Sequence, residues 1–222
     1  PDPDVALLER RDAATDELER LLARRLKRVL ADEQNEVLDL LRRTRGTPTA
    51  EVVLPSEADH LARYASAALE DLTAAERSGA SFYGEAPEAA ADVSDTAEQF
   101  AAELVRQIRA RLERAFDDGG DEQEIGDRIR SCYREWKTQR IADTARHYVV
   151  VAFTRGVGGA AVEGTTFRWL VDDGEVPSPD CEDNALAGGV AAGEEFPTGD
   201  RWPPAHPGCR CLLPDGIQKI TA

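Results

Sequence analysis

The chain has 222 residues, with 27 Lys+Arg against 43 Asp+Glu and a formal net charge of −16 at pH 7. That length buries a real core, while the acid excess excludes a protein whose main business is wrapping nucleic acid, because neutralising phosphates needs clustered Lys and Arg. Hydrophobic residues at 41% with only 6% aromatics favour Ala/Leu-rich helix packing over a β-sandwich, and no apolar run reaches the roughly 18 residues of a membrane span.

The N-terminus is acidic and helical in pattern, without the apolar h-region of a signal peptide. Residue 1 is Pro and Met is absent, so the sequence is expected to be trimmed. From Val5 to Leu41, Leu18, Leu22, Leu26, Val29, Leu30, Val37, Leu40 and Leu41 fall mostly three or four apart, predicting one long amphipathic helix that stops at Gly46-Thr47-Pro48. Glu51-Val52-Val53-Leu54 reads as a short strand or extended link. Ser56, with Asp59 three residues on, predicts a capping box opening a helix through Leu61, Tyr64, Ala68 and Leu72. Residues 78–93 read as a loop.

Ser94 or Asp95 caps the next helix, whose ladder Phe100, Leu104, Ile108, Leu112, Phe116 is spaced by four without a break and ends at Asp117-Asp118-Gly119-Gly120. A helix then begins near Glu122, carries Ile125, Ile129, Cys132, Tyr133 and Trp136 on one side, and continues or kinks through Ile141 to Phe153, ending at Gly156, Gly158 and Gly159. From Thr165 the composition changes: Thr166 to Val171 reads as a strand, Asp173-Gly174 as a hairpin turn, and the rest as Gly/Pro-rich loop with little helical period. The expected fold is mainly α, a helical body over 1–140 with a small C-terminal β-hairpin/loop module over 141–222.

Four cysteines are present, and Cys181, Cys209 and Cys211 fall close together beside His206. A loop-rich segment of this size does not bury enough apolar surface to fix its own fold, and a structural zinc ion held by four N/S ligands supplies that free energy directly. Cys181, His206, Cys209 and Cys211 form a Cys3His set. Usual zinc knuckles present two Cys-x-x-Cys arms, whereas here Ser178 stands three residues before Cys181. The same spacing admits a disulfide from Cys181 to Cys209 or Cys211, or three packed thiols.

The segment Trp169…Asp172…Cys181-x-x-Asn184…Gly188…Phe196-Pro197-x-Gly199…Pro203-Pro204-x-His206-Pro207-x-Cys209-Arg210-Cys211 resembles the C-terminal module of phage minor head proteins, the phage Mu F-like head morphogenesis family. That family's module ends in a Pro-Pro-x-His-Pro-x-Cys-Arg-Cys stretch, preceded by a Trp-bearing strand and a Cys-Pro-x-Cys-like turn. Upstream, Arg140-Ile141-Ala142-Asp143-Thr144-Ala145, then Ala152…Arg155-Gly156, is similar to the family's helix. The match runs from Arg140 to Leu213, and the helical remainder is compatible with it. Two positions depart from the pattern. Ser178 replaces the first Cys of the pair, which makes His206 the fourth ligand of choice, and Ala145 replaces a Glu.

The resemblance implies a non-enzymatic minor head component of a tailed phage or prophage. It would be assembled in the host cytoplasm, carried in the virion head, and act in head morphogenesis and DNA packaging beside portal and capsid or scaffolding proteins. Competing classes are an enzyme or toxin-associated domain, with Cys181 as nucleophile and His206 as base, and a disulfide-stapled secreted domain. Arg130, Arg134 and Lys137 share a helix face by i, i+4, i+7 spacing and are candidate contacts for DNA or an acidic partner. A solvated face is the plainer reading. Asp180, Glu182 and Asp183 read as an acidic turn, and His60 and His147 as isolated helical histidines.

Overall fold

The computed structural model describes residues 2–85, 88, 91–172 and 178–215. The fold is mainly α with one two-stranded antiparallel sheet, as the sequence predicts. Helix α1 spans Pro3–Arg43, α2 Ala50–Val53, α3 Glu57–Ala80, α4 Ser94–Asp117 and α5 Glu122–Glu135; a π-helical turn over Trp136–Arg140 leads into α6, Ile141–Gly159. The C-terminal part holds β1 (Thr166–Phe167), α7 (Pro179–Leu186) and β2 (Val190–Ala191). No helix among the described residues is long and apolar enough to cross a membrane.

The chain divides into two compact units, residues 20–70 with 94–145, and residues 1–19 with 71–93 and 146–222. The division is discontinuous: residues 146–222 are built together with the start of α1 and the end of α3.

In the unit formed by 20–70 and 94–145, the α4 ladder is buried throughout: Phe100, Leu104, Ile108 and Leu112 at 0% and Phe116 at 7% relative exposure. Leu22, Leu26 and Leu30 of α1, Tyr64, Ala68 of α3 and Ile125, Ile129, Tyr133 of α5 are buried as well. Asp121 caps α5 with a full capping box: its side chain accepts from the Glu124 N–H at 2.9 Å, and Glu124 accepts from the Asp121 N–H at 3.0 Å. At α3 the box is half made. Ser56 Oγ accepts from the Asp59 N–H at 3.1 Å, but the Asp59 carboxylate takes the Ser56 hydroxyl at 2.6 Å. The predicted extended link at 51–54 is instead the single helical turn α2, with Leu54 N–H bonded to Ala50 O at 2.8 Å. Burial of Val53 outweighs the β preference of its valines.

In the other unit, α3 continues to Ala80 where a loop from 78 is expected, because α3 and α6 pack backbone to backbone. A Cβ at Gly79 would lie 1.8 Å from Phe153 O, and one at Gly156 would lie 2.0 Å from Glu76 O. Gly156 is thus a packing glycine inside α6, and the helix ends only at Gly159. The strand expected at 166–171 is shorter, Thr166–Phe167, and has two partners. Phe167 pairs with Val190, and the stretch also runs antiparallel to 210–215, with bridges Phe167–Asp215 and Leu170–Leu212. Arg210 N–H donates to Asp172 O at 2.7 Å and Leu212 N–H to Leu170 O at 3.0 Å. The hairpin turn expected at Asp173-Gly174 lies outside the described residues. Helix α7 stands where loop is expected. Pro179 at its start has φ preset for a helix, and Asp180 and Glu182 in its first turn suit the positive end of the dipole.

Candidate metal centre

The core of this second unit contains Leu7, Phe82, Phe153, Val157, Phe167, Trp169, Phe196, Leu212 and Leu213, and three of the four cysteines: Cys181, Cys209 and Cys211. Each arrives from a different local device. Cys181 sits in the first turn of α7, and α7 is held by Asn184, wholly buried, whose Nδ2 donates to Thr198 Oγ1 at 2.8 Å while its Oδ1 accepts from the Thr198 N–H at 3.2 Å. Trp169 meets Phe196 edge-on, with ring centroids 5.0 Å apart, which fixes the same 196–200 turn.

His206 and Cys209 are the ends of one tight turn, closed by the Cys209 N–H bonding His206 O at 3.1 Å. Pro207 presets the second position, and Gly208 at φ +89 takes the third, a left-handed conformation that side chains avoid. Cys211 lies one residue beyond Arg210, and its Sγ accepts from the Asp172 N–H at 3.3 Å.

The outcome is a compact ligand set. Single ligand atoms of Cys181, His206 and Cys209 lie within 4.8 Å of one another. Sγ of Cys181 is 3.7 Å from Sγ of Cys209, close to the roughly 3.8 Å edge of a tetrahedron whose metal–sulfur bonds are about 2.3 Å. No disulfide joins any of the four cysteines. His206 Nδ1 lies 3.0 Å from Pro207 O, a bond it makes as an N–H donor. Nε2 is then the nitrogen with the lone pair, and it is buried without a hydrogen-bond partner. An orphaned imidazole nitrogen beside two thiols is what a soft or borderline divalent cation satisfies. The residues fit: this cluster could hold a metal ion.

Cys211, the remaining residue of the expected Cys3His set, is not among the three whose ligand atoms lie within 4.8 Å of one another; it acts on the set through its thiol hydrogen bond with Cys209. That bond is the main cause that lowers Cys209 to about 6, against burial, which raises it. The same bond, with burial, pushes Cys211 far up. Of the two thiols Cys209 is the one inclined to lose its proton, and the thiolate is the form in which sulfur binds metals.

Around the centre is a charged shell that the sequence reading misses. Arg11 of α1 is wholly buried. It bonds Asp172 at 2.6 Å and Asp12 at 2.6 Å, and donates to the carbonyl of Arg210. The side chain of Arg210, between the two cysteines, reaches back to Glu19 at 2.7 Å and Asp12 at 2.8 Å. Burial would weaken its charge, but the bonds to Asp12 and Glu19 outweigh that and raise its pKa. The signal was there: Arg11 stands four residues after Leu7 and seven before Leu18, a charge within the apolar stripe.

The basic triplet is not a free cationic face. Lys137 is half-buried, with Nζ donating to Gln34 at 2.8 Å; Arg130 pairs with Asp127 at 2.7 Å; and Arg134 is exposed and reaches Ser131 Oγ at 3.4 Å. His60 is fully buried, its Nε2 3.0 Å from Glu33 Oε1. A scan against protein-family models finds no match, and comparisons with curated proteins and with solved structures find none.

Proposed function

We propose that this chain is a non-enzymatic minor head protein of a tailed phage or prophage, acting in head morphogenesis and DNA packaging near the portal vertex, and that its C-terminal module is held by a structural zinc ion. The reading of the module rests on one observation: Cys181, Cys209 and the unpartnered His206 Nε2 converge at the apolar core of this unit. Sulfur and imidazole donors at this spacing suit zinc, with Cys211, bonded to Cys209, as the fourth member. Bound there, zinc would join α7 to the 206–211 stretch and supply folding free energy. Full burial of the thiols, 0% for Cys181 and 1% for Cys209, supports a structural role over a nucleophilic one, which needs access for substrate.

The head-assembly reading rests on the resemblance of residues 140–213 to the Mu F-like family, and its partners would be portal and capsid or scaffolding proteins in the phage head. For DNA contact, the relevant fact is charge distribution. Residues 20–70 and 94–145 carry 18 Lys+Arg against 20 Asp+Glu, whereas the other unit carries 9 against 23. A phosphate backbone would meet least repulsion at the nearly neutral unit, where Arg130 and Arg134 are exposed.

Recovery of the tagged chain with portal and capsid proteins from induced cells is the expected result; recovery as an isolated monomer overturns the head-assembly reading. Elemental analysis should give one zinc per chain, with Cys209→Ser losing it. A metal-free wild-type protein that unfolds cooperatively with unchanged Tm overturns the structural zinc.

A further inference from the structure

We propose that Cys181 and Cys209 are an alternative staple: with the metal ion lost under oxidising conditions, they close a disulfide that holds α7 to the 206–211 stretch in its place. The inference rests on the metal reading for its reduced form only. The two Sγ atoms are 3.7 Å apart, so bond formation requires them to approach by roughly 1.7 Å, to the 2.03–2.05 Å of a disulfide.

Competing pairings are less suited. Cys211 is anchored by the Asp172 N–H at 3.3 Å, and its segment is paired with 170–172. Two residues of extended chain span about 6.6–6.8 Å, the outer limit of Cα separation for a disulfide, so Cys209 and Cys211 would strain to join. Cys132 lies in the other unit. The Cys181–Cys209 bond makes the same long-range connection as a shared metal ion, so the core around Trp169 and Phe196 keeps its closure.

The chemistry balances with a peroxide as oxidant. Two thiolates lose two electrons in forming the S–S bond, hydrogen peroxide takes them with two protons from solvent and leaves as two waters, and the metal ion departs. A thiol reductant followed by added zinc reverses the change. For a protein assembled in a reducing cytoplasm and then released to an oxidising medium, the module would remain stapled in both.

The test uses the full purified chain, with its zinc content measured first. Hydrogen peroxide is added, zinc release is followed with a chromogenic chelator, and the products are alkylated and mapped by mass spectrometry without reduction. We expect one zinc released per Cys181–Cys209 cross-link, with Cys132 and Cys211 alkylated, cooperative unfolding of the oxidised protein, and reversal by dithiothreitol with zinc. Cys211→Ser should still form the link and Cys209→Ser should not. Cross-links through Cys211 or Cys132, over-oxidation to sulfinic acid without a link, or loss of cooperative unfolding on oxidation would each overturn the proposal. A protein that arrives without zinc counts against the metal reading alone, and the same mapping on its thiols still decides the pair.

Discussion

Glu33 is a carboxylate within the apolar stripe of α1, with no exposed surface of its own. Tyr133 donates its hydroxyl to Oε1 at 2.5 Å, His60 Nε2 lies 3.0 Å from the same oxygen, and Arg63 is 3.8 Å from Oε2. Burial by itself would push the Glu33 pKa up; the approach of His60 and the Tyr133 hydroxyl outweigh it and hold the carboxyl below its ordinary range. A folded-state pKa below the unfolded value of about 4.3 means that the ionised form stabilises the fold above that value. The contribution is then lost as pH falls through the folded pKa. The stability difference between wild type and Glu33→Gln, from urea denaturation, should be largest near about pH 5 and shrink as the pH is lowered towards about 3. A difference that stays flat or grows over that interval would show that the buried carboxylate is not the titrating group.

Among the elements, α4 was the most legible, since a ladder spaced by four over Phe100 to Phe116 fits only one face of a helix, and that face is buried. Truncating Leu104 or Ile108, both 0% exposed, to Ala should therefore cost roughly 2–5 kcal/mol of unfolding free energy. A loss under about 0.5 kcal/mol, typical of surface sites, would place the ladder outside the core. Short elements were not legible, for a physical reason. Helix α7 has 8 residues and α2 has 4, too few for a period to emerge, so caps and tertiary burial decide them. The strand at 166–167 could be read from Thr166-Phe167-Arg168-Trp169, but its partners could not, because Val190 and Leu212 are chosen by long-range packing. The Cys/His set was visible as residue types; what sequence could not supply was the 206–209 turn that places Nε2 and Sγ on the same centre.

At the scale of the whole molecule, composition changes at Thr165, and the structure shows what the loop-rich end is built against. Loop-rich residues 165–215 do not close a core by themselves; Leu7 of α1 and Phe82 complete it. Burying those two side chains contributes roughly 1.5–3 kcal/mol each. Gly156 of α6 fits against the backbone of Glu76, Arg168 pairs with Asp4, and the half-buried Arg210 has its carboxylate partners, Asp12 and Glu19, on α1. A fragment of residues 146–222 would keep every member of the candidate metal centre, yet lose each of these contacts and leave Arg210 without its acids, the penalty of removing one side of a partly buried ion pair. That fragment, expressed alone and supplied with zinc, is expected to show no fixed near-UV signal from Trp169 and Trp202 and no cooperative unfolding, while the full chain shows both. Metal binding by itself supplies ligand bonds and not a missing core face, so zinc should restore neither property. A fragment that folds cooperatively with one zinc bound would mean that the centre alone organises the module and that the contacts from residues 1–19 and 71–93 are incidental to it.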